Sequence, residues 1–158
     1  MAGGSPNHNQ ISGNVITGLN FALDEKDCIV YTSDMRIRVE KAKRAFYPDV
    51  SVICGELEYF DDNKNTLTNP LLIVEVLSPS TAEYDRRGRF FCYRQLESLR
   101  EYVLIEKDEP YVDVYTFQDE GRWLLQTYTE LSQNIKLNST NTEIPMSRIY
   151  KKVNFDKT

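Results

Sequence analysis

The acidic residue Glu75 stands inside an otherwise aliphatic run, Leu71 to Leu77. A carboxylate buried without a partner is strongly unfavourable, so something must compensate its charge. A metal ion, a basic side chain or a set of backbone N–H donors would each do so. From spacing alone, a structural ion pair between Glu75 and an arginine explains the pattern as well as a metal site does.

A second carboxylate, Asp49, follows Pro48 at the start of another predicted strand. From a strand end, it can project its side chain beside the neighbouring strand. Two carboxylates that converge from adjacent strands form a hard-oxygen site suited to Mg²⁺ or Mn²⁺. The backbone carbonyl of Val76 would add a further ligand. The pair therefore indicates a divalent-metal site.

Several segments together resemble the Uma-type restriction endonuclease family, a branch of the PD-(D/E)xK nuclease superfamily. The strongest are Tyr-Pro-Asp-Val-Ser-Val-Ile-Cys at Tyr47–Cys54 and Ile-Val-Glu-Val-Leu-Ser-Pro-Ser-Thr at Ile73–Thr81. Tyr84-Asp85-Arg86, Ser98–Ile105 and Gly3–Asn9 continue the likeness, which covers nearly the whole chain.

This resemblance implies a fold, an activity and a partner. The implied fold is a restriction endonuclease-like α/β (α+β) domain, with a mixed β-sheet flanked by helices. Asp49 and Glu75 would hold Mg²⁺. The implied reaction is hydrolysis of phosphodiester bonds in nucleic acid, with DNA as the expected substrate.

The chain departs from the superfamily pattern at the third catalytic element. That element is usually a lysine two positions after the strand acid, on the same face of the strand. Here the position is Leu77, and the family resemblance implies that the charge comes instead from Arg89 on the following helix. Asp85, Arg89 and Tyr93 are spaced four apart, which puts them on one helical face.

An arginine at this place limits the mechanism. The Arg89 guanidinium can stabilise negative charge on the reacting phosphate, but it stays protonated and cannot act as a general base. Water activated by the metal would then be the nucleophile in an in-line attack.

Five further residues are weaker candidates. His8 lies at the start of the first predicted helix and is either near the metal or an exposed helix-start residue. Asp34 could approach the site, although a turn-forming role suits it better. Arg86 and Arg87 are candidate phosphate contacts, or solvated helix-surface residues. Tyr84, like Tyr93, could stack or hydrogen-bond near substrate, or serve in packing.

Hydrophobic periodicity predicts the elements that must position these residues. Helices are expected over Pro6–Leu23 and Ala82–Leu96, the second after a stop at Ser78–Thr81. A loop is predicted at Asp61–Asn65 and a hairpin turn at Glu120-Gly121. Strands are predicted at Cys28–Thr32, Met35–Val39, Asp49–Cys54, Leu71–Leu77, Glu101–Ile105, Tyr111–Phe117 and Arg122–Tyr128.

Length and composition favour one domain over residues 1–158. The chain has 158 residues, 41% of them hydrophobic, which is enough to form a core without disulfides. Cys28, Cys54 and Cys92 are therefore expected to be reduced core residues, without zinc. Neither a membrane-spanning run nor a secretory signal is evident, and a cytoplasmic location is expected.

The net charge of −5 argues against a protein that coats nucleic acid by charge alone. Basic residues nevertheless cluster at 36–44 and 86–100, either as a local binding surface or as solvated faces.

Three functional hypotheses follow. The first is a Mg²⁺-dependent endonuclease that uses Asp49, Glu75 and Arg89. The second is a catalytically degenerate relative that acts in binding or assembly, in which Arg89 pairs directly with a carboxylate. The third, compatible with the first, is self-association as a homodimer through the hairpin Tyr111–Tyr128, where Trp123 is a core or dimer contact.

Overall fold

The central strand of the structure is the apolar run that contains Glu75. The structure, a computed structural model, describes residues 4–62, 64–77 and 82–155; the side chains of Ala82, Asp85 and Arg86 are outside this description. All six residues of this strand, Leu72–Leu77, are buried, because helices or a second sheet cover both of its faces.

Strands and helices are grouped along the chain in an α+β order, with a 3₁₀ turn at Glu40–Ala42. The strands are β1 (Cys28–Tyr31), β2 (Arg36–Val39), β3 (Arg44–Phe46), β4 (Val50–Cys54), β5 (Thr66–Leu67), β6 (Leu72–Leu77), β7 (Glu101–Glu106), β8 (Val112–Phe117), β9 (Trp123–Tyr128), β10 (Asn134–Leu137) and β11 (Thr142–Pro145). The helices are α1 (Pro6–Ala22), α2 (Ala82–Tyr84), a π-helical stretch (Asp85–Arg89), α3 (Phe90–Tyr93) and α4 (Met146–Ile149).

The main sheet is mixed, as predicted. Its strand order is β1-β4-β6-β7-β8-β9, in which β6 and β7 are parallel and the other neighbours are antiparallel. Parallel neighbours need a crossover connection, and the segment α2–π–α3 lies between β6 and β7 in the chain. The sequence-predicted fold class is confirmed.

Helix α1 covers one face of the sheet. Its N-terminus is capped by the Ser5 hydroxyl, which accepts the N–H of His8 at 3.2 Å, and Pro6 begins the helix. Ile11, Val15 and Leu19 recur at helical spacing and are buried in the core on this face. The cap fixes where α1 starts and therefore where His8 lies.

The opposite face is covered by α2–π–α3 and by a small sheet of order β3-β2-β5. Here the rings of Phe90 and Tyr102 stack with centroids 4.9 Å apart, and Trp123 packs edge-on against Phe90. Trp123 is thus a core contact. The sequence predicts one regular helix over Ala82–Leu96, whereas the structure ends it at Tyr93 and widens its middle into the π-helical stretch.

The cysteine prediction is wrong for two of the three residues. Cys28 and Cys54 are direct partners in the antiparallel β1–β4 register, with Cα atoms 4.0 Å apart, and they form a disulfide. Their separation of 26 residues in the chain hides this pairing, which the register creates. Cys92 is a free, buried thiol, as predicted.

Glu101, at the start of β7, is a fully buried carboxylate that sequence reasoning did not single out. Its oxygens accept hydrogen bonds from the backbone N–H groups of Asn138 (3.1 Å) and Ser139 (2.8 Å) and from the hydroxyls of Thr116 (2.8 Å) and Ser139. These donors compensate the charge and hold the β10–β11 turn against the main sheet. None of the helices in the described ranges could span a membrane.

Replacing Glu101 by alanine should lower the free energy of unfolding by about 3 kcal/mol or more, because several buried donors lose their acceptor. Chemical denaturation measures the loss. The matched control is Glu97→Ala: Glu97 is 87% exposed, and its substitution should change stability by less than about 0.5 kcal/mol. Equal effects of the two substitutions would contradict a structural role for Glu101.

Candidate functional site

Asp49 lies at the point where the β4–β6 ladder stops. The last paired residues are Val50 and Val74, so the edge of β6 beyond Val74 has no β4 partner. The Asp49 side chain takes the place of a β4 partner there, because its Oδ2 accepts the backbone N–H of Val76 at 2.8 Å. Glu75 reciprocates: its Oε1 accepts the backbone N–H of Asp49 at 3.0 Å. The Glu75 carboxylate therefore fixes the backbone of Asp49, and the Asp49 carboxylate fixes that of Val76, the residue after Glu75.

Glu75 points into the core face that contains Ile73, Leu77 and Tyr93, because side chains alternate along a strand. Its side chain is only 3% exposed. Arg89 Nη1 donates to Glu75 Oε2 at 2.7 Å, and the Tyr93 hydroxyl donates to the same oxygen at 3.3 Å. A guanidinium, a phenol and a backbone N–H thus compensate the buried charge. Burial and the neighbouring Glu75 carboxylate raise the pKa of Tyr93 well above its ordinary value.

Leu77 cannot carry the cation of the usual superfamily pattern. It is fully buried two residues beyond Glu75, within the core on that face. The positive charge comes from Arg89 at the end of the π-helical stretch, as the family resemblance implies. The guanidinium also lies 5.5 Å from the ring centroid of Phe46 and 5.3 Å from that of Tyr84.

His8 reaches the site from α1. Its Nε2 lies 3.1 Å from Asp49 Oδ1, with both side chains largely buried. This hydrogen bond to Asp49 raises the pKa of His8, and burial opposes the shift. The N-terminal chain passes close to the imidazole, because a Cβ atom on Gly4 would lie 2.6 Å from His8 Nδ1. A glycine is therefore needed at position 4 for this close approach.

The main chain of Val76 also faces the site. Within a strand, the N–H and C=O of one residue point to the same side. Since the Val76 N–H is bonded to Asp49 Oδ2, its carbonyl is directed to the same edge of β6. This orientation agrees with the predicted ligand role of Val76, which stays a prediction.

Two weaker candidates lie in solvent-exposed positions. Asp34 is exposed in the turn between β1 and β2, where the Met35 N–H bonds to the Thr32 carbonyl. Arg87 forms an exposed helical ion pair with Glu83. The side chains of Asp85 and Arg86 fall outside the described residues. Tyr84 does lie beside Arg89, together with Phe46 and Arg44, which the sequence analysis did not single out as site residues.

The donor chemistry of this site suits a hard divalent cation, because Asp49, Glu75 and the Val76 carbonyl offer oxygen ligands. Within the described ranges, no group of three or more histidine, cysteine or carboxylate residues is arranged to hold a metal ion. Such a set is unnecessary for Mg²⁺, which is commonly held by one or two carboxylates together with water and substrate phosphate. The Arg89 guanidinium at Glu75 Oε2 competes for the same negative charge.

Comparison with known proteins supports the family resemblance. The model of the family Uma2, described as "Putative restriction endonuclease", matches residues 1–147. Two uncharacterized proteins of Synechocystis sp. are each 37% identical to the chain. One match covers 98% of this chain and 80% of the relative; the other covers 79% and 71%.

A solved structure has the same fold. It is described as a "putative nuclease belonging to DUF820" from Anabaena variabilis, and it superposes with a TM-score of 0.75. The match covers 94% of this chain and 83% of that one at 17% identity.

A double-mutant cycle should show that Arg89 and Glu75 are strongly coupled. Arg89→Ala leaves a buried carboxylate without its cation, whereas Arg89→Ala combined with Glu75→Gln does not. We expect a coupling free energy of about 1.5 to 3 kcal/mol from denaturation of the four proteins.

The control cycle uses Arg87→Ala and Glu83→Gln, an ion pair with side chains 83% and 81% exposed. Its coupling should be below about 0.5 kcal/mol. Similar coupling in the two cycles would contradict the assignment of Arg89 as the counter-charge of Glu75.

Proposed function

The chain belongs to the Uma2 family of restriction endonuclease-like proteins, and we propose that it is a divalent-metal-dependent endonuclease that hydrolyses phosphodiester bonds in DNA. The observation that carries the proposal is the reciprocal bonding of Asp49 and Glu75, one carboxylate at a strand end and one on a buried strand. A purely structural acid needs only a counter-charge. Here a second carboxylate, Asp49, is held beside the first, and together the two offer the oxygen ligands that a divalent cation needs.

Asp49, Glu75 and the Val76 carbonyl would hold Mg²⁺ or Mn²⁺. When bound, the ion would supply Lewis-acid stabilisation of phosphoryl oxygens and would lower the pKa of a coordinated water. The Asp49 carboxylate is already fixed at the strand edge, since it is tied to β6 through the Val76 N–H.

Arg89 has an electrostatic role in this proposal. Its guanidinium is hydrogen-bonded to the buried Glu75 carboxylate and packs against the Phe46 and Tyr84 rings. A permanently charged planar donor can bind two phosphoryl oxygens at once. It stabilises the negative charge that develops on the phosphate and takes no proton. His8 acts as a positioning residue, because it fixes the orientation of the Asp49 carboxylate through Oδ1.

Nicking of supercoiled plasmid in the presence of Mg²⁺ or Mn²⁺ tests the activity. Asp49→Ala and Glu75→Ala should each reduce the rate by more than about 100-fold, because each removes a group that orients charge at the reacting phosphate. Agarose gel electrophoresis measures the conversion to the nicked form, and a chelator should stop the reaction.

Asp119→Asn, on the exposed turn between β8 and β9, is the matched carboxylate control and should retain activity. Nicking that persists in Glu75→Ala at the rate of Asp119→Asn would rule the proposal out, because the activity would then come from another site or another protein.

One observation favours the second candidate, a catalytically degenerate relative that acts in binding or assembly. Arg89 and Glu75 already form a closed ion pair at 2.7 Å, so a metal must displace or share the guanidinium. The two candidates differ in whether a divalent ion can enter beside Glu75. In the degenerate protein, Arg89 replaces the metal permanently.

Two finer points remain part of the proposal, one domain over residues 1–158 and a homodimer, whereas the cytoplasmic location stays a prediction from the sequence. The edge strand β9 supports the dimer, because it carries no charged residue and exposes Leu124 and Leu125. Edge strands that lack charge are prone to pair with another strand. The disulfide between Cys28 and Cys54 counts against the cytoplasm, where thiols are kept reduced.

A further inference from the structure

Arg44 is an exposed arginine whose guanidinium is held in a fixed position beside the candidate site. Its Nη2 donates to the Tyr84 hydroxyl at 2.9 Å, and its Nη1 lies 3.8 Å from Cys92 Sγ. The guanidinium carbon is 5.0 Å from the centroid of the Phe46 ring, on the same face of β3. None of these partners is a carboxylate, and within the described residues Arg44 forms no salt bridge. Its charge is therefore ordered but not neutralised by an acid.

The same two aromatic rings join Arg44 to Arg89. Both guanidinium groups lie against Phe46, at 5.0 and 5.5 Å, and Tyr84 contacts Arg44 through its hydroxyl and Arg89 through its ring. Arg44 therefore lies within a few nucleotide lengths of Arg89, the residue that would face the reacting phosphate in the proposed function. Two adjacent guanidinium groups, only one of which has a carboxylate partner, form a subsite for a second phosphate.

The Tyr84 ring is held in place from the helix side as well. A Cβ atom at Gly88 would lie 2.7 Å from the ring, so the glycine lets the ring lie directly over the π-helical stretch. The ring nevertheless remains 38% exposed. Contacts with Arg44, Gly88 and Arg89 fix its position, and the exposed part of the ring is open to a ligand.

A second exposed tyrosine lies close to the site in the chain. Tyr47 joins β3 to β4, one residue after Phe46 and two residues before Asp49, and is 53% exposed. In the part of the chain that the structure describes, its hydroxyl has no hydrogen-bond partner and its ring contacts no other ring. A large, exposed aromatic side chain without an internal contact is suited to stacking against a ligand.

We propose that Arg44, Tyr47 and Tyr84 form a subsite for single-stranded DNA, which Arg44 binds through a phosphate and the tyrosines through the faces of unpaired bases. This proposal rests on the proposed nuclease function and names its substrate class. Stacking on aromatic side chains requires bases that are not already stacked in a duplex. The net charge of −5 agrees, because a duplex is bound through many phosphate contacts on a broad basic surface.

Binding in the presence of a chelator tests the subsite independently of hydrolysis. Fluorescence anisotropy compares a short fluorescein-labelled single strand with the duplex of the same sequence. The single strand should bind about tenfold more tightly than the duplex, since base–aromatic stacking adds to the phosphate contact. Tyr47→Ala should weaken single-strand binding by about tenfold and leave the weak duplex binding unchanged.

Arg44→Ala should weaken binding of both forms and reduce the slope of log affinity against log salt by about 1. Arg44→Lys should restore the slope, and Tyr84→Phe, which removes only the hydroxyl that orients Arg44, should give an intermediate loss. Arg122→Ala is the control, because Arg122 is exposed and paired with Asp119 at the β8–β9 turn. Thermal melting verifies that all variants are folded.

Two results would overturn the subsite: duplex binding as tight as single-strand binding, or Tyr47→Ala and Arg44→Ala both equal to Arg122→Ala. The proposed nuclease function fails separately. If the protein nicks DNA in the presence of metal but shows no preference for single strands, the nuclease proposal stands and the subsite proposal is overturned. If the predicted binding pattern is found but no hydrolysis occurs, the subsite proposal stands and the nuclease proposal is overturned.

Discussion

The carboxylate of Glu75 is the constraint on which the surrounding structure depends. It lies on a strand buried on both faces, where an unpaired charge is strongly unfavourable. Its hydrogen-bond donors among the described residues include the Asp49 N–H before β4, Arg89 at the end of the π-helical stretch and Tyr93 in α3. The need to compensate this one group therefore links the start of β4 and the crossover helix to the central strand.

The same compensation gives the site its chemical character. Asp49 takes the place of a missing ladder residue, so its carboxylate is fixed at the edge of β6 by a backbone bond and by His8. Arg89 ends a π-helical stretch, so its position differs from the one that a regular α-helix would give it. Such π-helical stretches recur at functional sites. The fixed carboxylates and the Arg89 guanidinium place charges of opposite sign beside the edge of β6, an arrangement that suits the proposed phosphoryl chemistry.

Glu75 stands out in the sequence because its signal is local, whereas Asp49 was predicted as its partner mainly through the family resemblance. Seven residues of sequence, Leu71–Leu77, are enough to show an acid in an aliphatic run. Because side chains alternate along a strand, the same run also shows that Leu77 lies on the face of Glu75. The disulfide, the buried Glu101 and strand β5 were missed because each depends on contacts between distant segments. Strands β3, β10 and β11 were missed because three or four residues are too few for a clear alternation pattern. Arg44 was visible only as part of a basic run. Its role beside Arg89 depends on two aromatic rings that the fold brings together.

The central claim is that a divalent cation can enter beside Glu75 and displace Arg89 from it. A crystal soaked with Mn²⁺ and measured for anomalous scattering tests this most directly. The account predicts an anomalous peak in contact with carboxylate oxygens of both Asp49 and Glu75, with the Arg89 guanidinium no longer hydrogen-bonded to Glu75 Oε2. A crystal without such a peak, in which Arg89 keeps its 2.7 Å contact with Glu75, would contradict the account and favour the degenerate relative.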